Sequence, residues 1–344
     1  MLVASLVTLG SPAQLTGGYL YHRRMSELAP AHGARLELVS LPALPFPLPA
    51  AFGRRLLRRV RDSDVVVVDS IVAAYMAPWR PVPPVVGILH QPPGGIDHGP
   101  VRSAVQSLLD RALYRRCALL VLAAEALAGT GLPSVPIAVV PPGRDVAPPS
   151  ARRPLDLRQG RRAALLSVGN WMARKGVLDL VEAFAPLPPD LATLHLVGRT
   201  DMDRRYGHRV AARLARPDVA GRVVVHGPVS RERVGDLYRA ADVFVLASYR
   251  DPYGTVYGEA MAAGLPVVGW RAGNLPNLAD HEREGLIVEP GDRAGLTAAL
   301  ARLADDVPYR ERLAAAAADR ARELPTWDDT AARLVELLAS VAPR

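Results

Sequence analysis

The chain has 344 residues, enough for two domains at roughly 150 each, and with 49% apolar residues it carries material for two buried cores. A single cysteine, Cys117, excludes a disulfide scaffold and a cysteine-ligated zinc or iron–sulfur site. The net charge of +8 is scattered and comes without a helix-turn-helix, an RNP stretch or a Cys/His finger, so anionic small molecules or a lipid surface suit it better than nucleic acid.

Short β-branched runs alternate with longer amphipathic stretches along the whole length. Strands are predicted at 2–9, 35–41, 64–68, 85–90, 118–123 and 136–140, and again at 163–168, 192–197, 222–226, 242–247, 265–269 and 285–288. Few of these runs alternate with polar residues, as expected of central parallel strands covered on both faces. Between them lie helical patterns such as 177–184, where Val177, Leu180, Val181 and Phe184 recur at i, i+3, i+4, i+7. Residues 141–160, rich in Pro, Arg and Gly, read as a linker between two βαβ-built halves. After Val307 the chain turns to an Ala/Leu/Arg-rich helix, broken at Pro325 and resumed over 328–341. The pattern predicts an α/β protein of two Rossmann-like, doubly wound domains, residues 1–148 and 149–325, with the final helix (about 326–344) returning to the first. A ligand is expected between them, outside the carboxyl ends of both sheets. No apolar run approaches the roughly 18–20 residues of a membrane span, and segment 1–10 lacks a basic leader, so a cytoplasmic protein is expected.

Candidate chemistry recurs where strands give way to helices. Gly17 and Gly18 follow the first strand and precede a helix predicted over 19–28. Paired glycines there let backbone approach a phosphate at the positive end of a helix, although any strand-to-helix turn can use them. The basic stretch from Arg54 to Arg61 reads either as a solvated crossover helix or as a peripheral contact with anionic lipid. His90 closes the strand 85–90 and is placed to meet a sugar or an acceptor hydroxyl, or simply to cap the strand. Arg174 and Lys175 stand between a strand and the helix 177–184, where a cation neutralises a departing diphosphate. Lys175 is the sole lysine beside 41 arginines.

The longest motif runs from Ser248 to Val268. Asp251 lies in its loop and Glu259, eight residues on, about one turn into the following helix. This spacing lets two carboxylates grip separate hydroxyl-bearing parts of one ligand, while the N–H groups of Tyr253, Gly254, Thr255 and Val256 face a phosphate between them. An acid–base pair and a surface helix with a capping aspartate are the competing readings. Asp62/Asp64 and Asp201/Asp203 both spell Asp-x-Asp, but neither sits in a metal-binding context, and no histidine cluster shows metal-ligand spacing. No metal and no cofactor are expected.

The stretch 251–268, followed by Gly273–Pro276 and Gly285–Asp292, resembles the donor-site signature of the retaining glycosyltransferases of family 4 (glycosyl transferases group 1), which have the GT-B fold. The resemblance covers nearly the whole chain. It implies transfer of a sugar, with retention and without a metal, from a UDP- or GDP-sugar to a hydroxyl acceptor that no motif identifies. By this resemblance Glu259 holds the nucleotide ribose, Asp251 contacts sugar hydroxyls, and Tyr253, Gly254 and Thr255 present backbone to the phosphates and sugar. Lys175 corresponds to the diphosphate lysine and Gly18 to the N-terminal glycine near it. His90 matches a histidine beside the reaction centre, and the stretch from His226 to Val229 meets the base. The family usually has Glu at the place of Asp251, and Asn170 stands where it has a phosphate arginine; Arg174 is the candidate for that role, although a residue adjacent to Lys175 points differently from it.

Two rivals belong to other classes. A non-catalytic nucleotide-sugar module would bind without turnover. A paired-Rossmann nicotinamide dehydrogenase needs a G-x-G-x-x-G turn after the first strand, which residues 9–14 do not supply.

Overall fold

Strand-to-helix alternation builds two units, seen in a computed structural model that describes residues 1–11, 17–144 and 155–343. The first unit comprises residues 1–143 and 325–344, the second residues 144–324. Part of the predicted linker therefore belongs to the second unit, where Leu157 is buried in its core; residues 145–154 and Thr16 lie outside the described residues.

The first unit is a six-stranded parallel sheet of β1 (Leu2–Leu9), β2 (Ala34–Leu41), β3 (Val65–Asp69), β4 (Val85–Leu89), β5 (Leu119–Leu122) and β6 (Ile137–Val139), in the order β2-β1-β3-β4-β5-β6. Residues 65–69 are entirely buried, which is why Val65 to Val68 show no polar alternation. One face is covered by Tyr21 and Met25 of the helix Gly17–Leu28 and by Trp327, Leu334, Val335 and Leu338 of the helix Trp327–Val341. The other face packs against Leu56, Val60, Met76, Leu113 and Tyr114. In the helix Gly53–Val60, Leu56 and Val60 turn inward while Arg54, Arg55, Arg58 and Arg59 are exposed.

The second unit holds β7 (Ala163–Val168), β8 (Ala192–Val197), β9 (Val223–Gly227), β10 (Val243–Leu246), β11 (Val267–Trp270) and β12 (Gly285–Val288), also all parallel, in the order β12-β11-β10-β7-β8-β9. Val177, Leu180, Val181 and Phe184 are buried on one face, as their spacing requires, together with Leu296, Leu300 and Leu313. Tyr238, Tyr257, Met261 and Ala317 cover the other.

The prediction errs at element ends. The strand predicted from 265 starts at Val267, because Pro266 has no N–H for the ladder and contributes only its carbonyl, which accepts from Phe244 N at 3.0 Å. The helix predicted from Tyr19 starts at Gly17, so Gly17 and Gly18 form its first turn and are not a turn ahead of it.

Each sheet changes winding direction once. In the first unit the reversal lies between β1 and β3, in the second between β7 and β10. Loops leaving the two strands on either side of such a reversal diverge to opposite faces, and the crevice at their carboxyl ends is where doubly wound sheets take ligands.

Candidate active site

In the second unit both loops at the reversal carry charged side chains. After β7 the chain makes a short 3₁₀ turn, Ala173–Lys175, and enters the helix Val177–Phe184 through Gly176. Gly176 has φ +63°, and a Cβ there would stand 1.8 Å from the carbonyl oxygen of Ala247, so only glycine lets this loop press against the end of β10. Lys175 Nζ then reaches Asp251 Oδ2 at 2.6 Å, with both side chains largely buried. Arg174 points elsewhere: its guanidinium donates to Arg250 O at 3.1 Å, while its own carbonyl accepts from Tyr249 N at 2.8 Å. Asn170, where a phosphate arginine is usual in the resembling family, is engaged structurally, its Oδ1 accepting from Arg199 N at 2.9 Å.

The loop holding Asp251 is braced from the next strand–helix junction. Gly273, at φ +60°, allows Asn274 N to donate to Asp251 O at 3.0 Å, and Asn274 Nδ2 donates to Tyr253 O at 3.0 Å. Asn277 in turn donates to Asn274 Oδ1 at 2.9 Å. The three asparagines of this chain thus serve as loop braces, a role that spacing alone did not reveal. Gly254, at φ +68°, caps the helix Thr255–Ala262. The N–H groups of Thr255 and Val256 open that helix and have no acceptor within it, so the end of the helix attracts an anion.

Glu259, half-buried one turn further on, accepts from Tyr238 Oη at 3.3 Å and lies 3.7 Å from Arg231. Burial raises its pKa, opposed by Arg231 and the Tyr238 hydroxyl. Val229 follows β9 and packs, partly buried, against the core of the second unit. His226 is held by His195, whose Nδ1 is 3.0 Å from His226 Nε2.

In the first unit Gly17 and Gly18 begin a helix whose third residue, Tyr19, donates to Leu9 O. His90, just past β4, is only 5% exposed and turns inward, its Nε2 2.7 Å from His22 Nε2. Asp69, the last residue of β3, lies 3.5 Å from His22 Nε2. Its carboxylate accepts from Thr8 Oγ1 at 3.1 Å, Ser70 Oγ at 3.2 Å and Ile71 N at 3.2 Å. Burial pushes Asp69 up to about 7 against these hydrogen bonds, and pushes His22 down to about 3. Burial, and then the neighbouring His22, hold His90 well below the usual imidazole range.

The sequence shows no histidine cluster with metal-ligand spacing, but the fold gathers a group that spacing does not reveal: His22, Asp69 and His90 bring three ligand atoms within 4.8 Å of one another, the one such group among the described residues. Positions 22, 69 and 90 have no local spacing, and only the strand order unites them. The contact is nevertheless that of a hydrogen bond. Two nitrogens bound at about 2.0–2.1 Å to a tetrahedral ion would stand roughly 3.3 Å apart, further than the 2.7 Å found here. The two Asp-x-Asp sequences have structural uses: Asp64 accepts from Val3 N at 2.8 Å, Asp203 caps a helix through Tyr206 N, and Asp201 pairs with Arg199.

Two parallel doubly wound units in one chain constitute the GT-B fold, the architecture of glycosyltransferases. Solved structures of that shape include the sucrose-phosphate synthase of Thermosynechococcus elongatus (TM-score 0.85, 20% identity, 99% of each chain covered). Another is the Anabaena protein HepE in complex with UDP-glucose (TM-score 0.80, 18% identity, 98% of this chain and 99% of that one). Residues 162–306, within the second unit, match the family model described as Glycosyl transferases group 1. Among curated relatives, the D-inositol 3-phosphate glycosyltransferase of Xylanimonas cellulosilytica is 34% identical over 220 residues, 60% of this chain and 52% of its own. The mannosylfructose-phosphate synthase of Agrobacterium fabrum is 29% identical over 244 residues, 66% of this chain and 54% of its own. The chain spans about half the length of these relatives.

Proposed function

We propose that the protein transfers a glycosyl group from a nucleoside-diphosphate sugar, UDP- or GDP-linked, to a hydroxyl acceptor, with retention of configuration and without a metal ion. The observation that carries this reading is the Lys175–Asp251 pair at 2.6 Å, set at the reversal point of the second sheet beside the amino end of the helix Thr255–Ala262. The ammonium and the helix N–H groups supply the positive charge that a diphosphate needs, while Asp251 and Glu259 are acceptors for sugar and ribose hydroxyls. The group 1 match over this same unit, and the UDP-glucose held by HepE, support a nucleotide sugar as the donor.

In the step itself the acceptor oxygen bonds to the anomeric carbon on the face from which the diphosphate departs. The carbon–oxygen bond to the diphosphate breaks, and the acceptor's proton passes to the leaving phosphate oxygen. Lys175 stabilises the charge that gathers on that oxygen, a role Arg174 joins only if its guanidinium leaves Arg250 O; Asp251 and Glu259 orient the donor and form no covalent bond to it. The first unit takes the acceptor at the carboxyl ends of β1, β3 and β4, where His90 stands. The exposed arginines of the helix Gly53–Val60 suit an anionic lipid surface, and this reading makes the enzyme a peripheral one.

A thermal-shift panel of nucleoside diphosphates and their sugars tests the reading, followed by nucleotide release with the sugar that stabilises best. A saturating true donor, at about 100 times its Kd, adds about 2.7 kcal/mol. Stabilisation by a nucleotide sugar without any turnover or transfer would make the protein a binding module, and no response to any nucleotide would remove the proposal.

A further inference from the structure

Three polar side chains meet beneath the reversal point of the first sheet, brought there from the helix Gly17–Leu28, the end of β3 and the end of β4. Between the 2.7 Å-separated Nε2 atoms of His22 and His90 there is room for one proton, and the surroundings decide which ring owns it. The carboxylate of Asp69 lies 3.5 Å from His22 Nε2. A bare lone pair on that nitrogen would face the carboxylate oxygen and repel it, whereas an N–H there is attracted to it. The Nδ1 atoms of both rings are buried without a hydrogen bond, so an unused N–H falls on one ring in either arrangement and the carboxylate decides between them.

We infer that His22 is a positioning residue: oriented by Asp69, it donates its Nε2–H to His90 Nε2 and so holds His90 in the Nδ1–H tautomer. Asp69 is itself fixed by Thr8, Ser70 and Ile71, and Ser70 Oγ also accepts from His90 N at 3.1 Å, so the triad is tied to the ends of three adjacent strands. The solvated histidine side chain favours the other neutral tautomer, in which Nε2 carries the proton. The geometry therefore reverses an intrinsic preference and delivers an N–H at the Nδ1 edge of His90 and a filled acceptor at its Nε2 edge. The consequence for catalysis rests on the reading of His90 as the group that meets substrate; the tautomer itself does not.

The test is two-bond ¹H–¹⁵N NMR on the full chain with ¹⁵N-labelled histidine at about pH 8, the His90 signal assigned by its loss in His90→Gln. The Nδ1–H pattern at His90 is expected in the parent protein. An Nε2–H pattern, or a doubly protonated ring, overturns the inference without recourse to any variant. His22→Leu, which cannot donate, should return His90 to the Nε2–H form and lower kcat tenfold or more with the donor KM little changed. His22→Gln, whose amide can donate, should recover both the tautomer and most of the rate. Equal losses in the two variants, or a folded His22→Leu that keeps the Nδ1–H pattern, would count against it. If the parent protein turns over no nucleotide sugar, the proposed function fails while the tautomer measurement still decides this point.

Discussion

Lys175 and Asp251 are 76 residues apart in sequence and neutralise each other across 2.6 Å. In the proposed reaction a bound diphosphate shares the ammonium with Asp251, most strongly as charge moves onto the leaving oxygen. Lys175→Ala should therefore cost a few kcal/mol of barrier, on the order of a hundredfold or more in turnover, read by nucleotide release with the donor found in the thermal-shift panel. Near-full turnover would remove Lys175 from the mechanism. Asp69 makes a prediction of a different kind. The folded chain keeps its proton up to about pH 7, whereas an unfolded aspartate releases it near 3.8. Its contribution to stability is thus complete below the lower value and is lost as pH rises through the upper one. Asp69→Asn removes that contribution. The stability of the variant should then fall more steeply than the parent's between about pH 6.5 and about pH 5, by up to about 1.4 kcal/mol per pH unit. Urea midpoints at the two ends of that range measure the difference, and parallel slopes would contradict the assignment.

At the scale of the element, the strand–loop–helix junctions decide what a sequence reader can see. The loops after β7 and β10 were legible because each packs its glycine, its charges and the start of its helix into a dozen residues. Local chemistry there dictates local structure. Gly176 illustrates the constraint: with φ +63° and the Ala247 carbonyl 1.8 Å from any Cβ, alanine must displace β10 or the loop. Gly176→Ala should lose about 1–3 kcal/mol in urea unfolding and weaken donor binding more than an exposed control such as Gly160→Ala, which has the same sign of φ but open space around it. Equal losses at the two positions would mean that conformation alone, and not the close approach, sets the cost. The His22–Asp69–His90 group was illegible for the opposite reason. Its members come from three elements with no repeating interval, and Asp69 looks like an ordinary polar stop after four valines. The remaining signal was a charged residue ending an otherwise wholly apolar run. The beginning of β11 was misplaced because a proline carbonyl was counted as strand, and the beginning of the first helix because glycine is a poor helix former that tertiary packing overrode at Gly17 and Gly18.

For the molecule as a whole, the governing feature is that residues 325–344 belong to the first unit although the whole second unit precedes them. Trp327, Leu334, Val335 and Leu338 are each at most 8% exposed and close one face of the first sheet. Burial of each is worth about 1.5–3 kcal/mol, so together they rival the entire stability of a typical domain, about 5–15 kcal/mol. A chain ending at Leu324 should therefore lose cooperative unfolding of the first unit and bind a hydrophobic dye, while the second unit, which keeps its own core, still unfolds in urea as before. A soluble truncated chain with two intact transitions would refute this.

The same connectivity orders events at the ribosome. At about 5–20 residues per second, the 144–324 segment occupies the tunnel and its exit for on the order of ten to forty seconds before Trp327 emerges. Throughout that interval the nascent amino-terminal sheet presents an uncovered oily face, a substrate for holdase chaperones, while the inserted unit can finish folding first. Slow codons placed late in the message would lengthen that exposure, and a supplied peptide spanning 325–344 would shorten it.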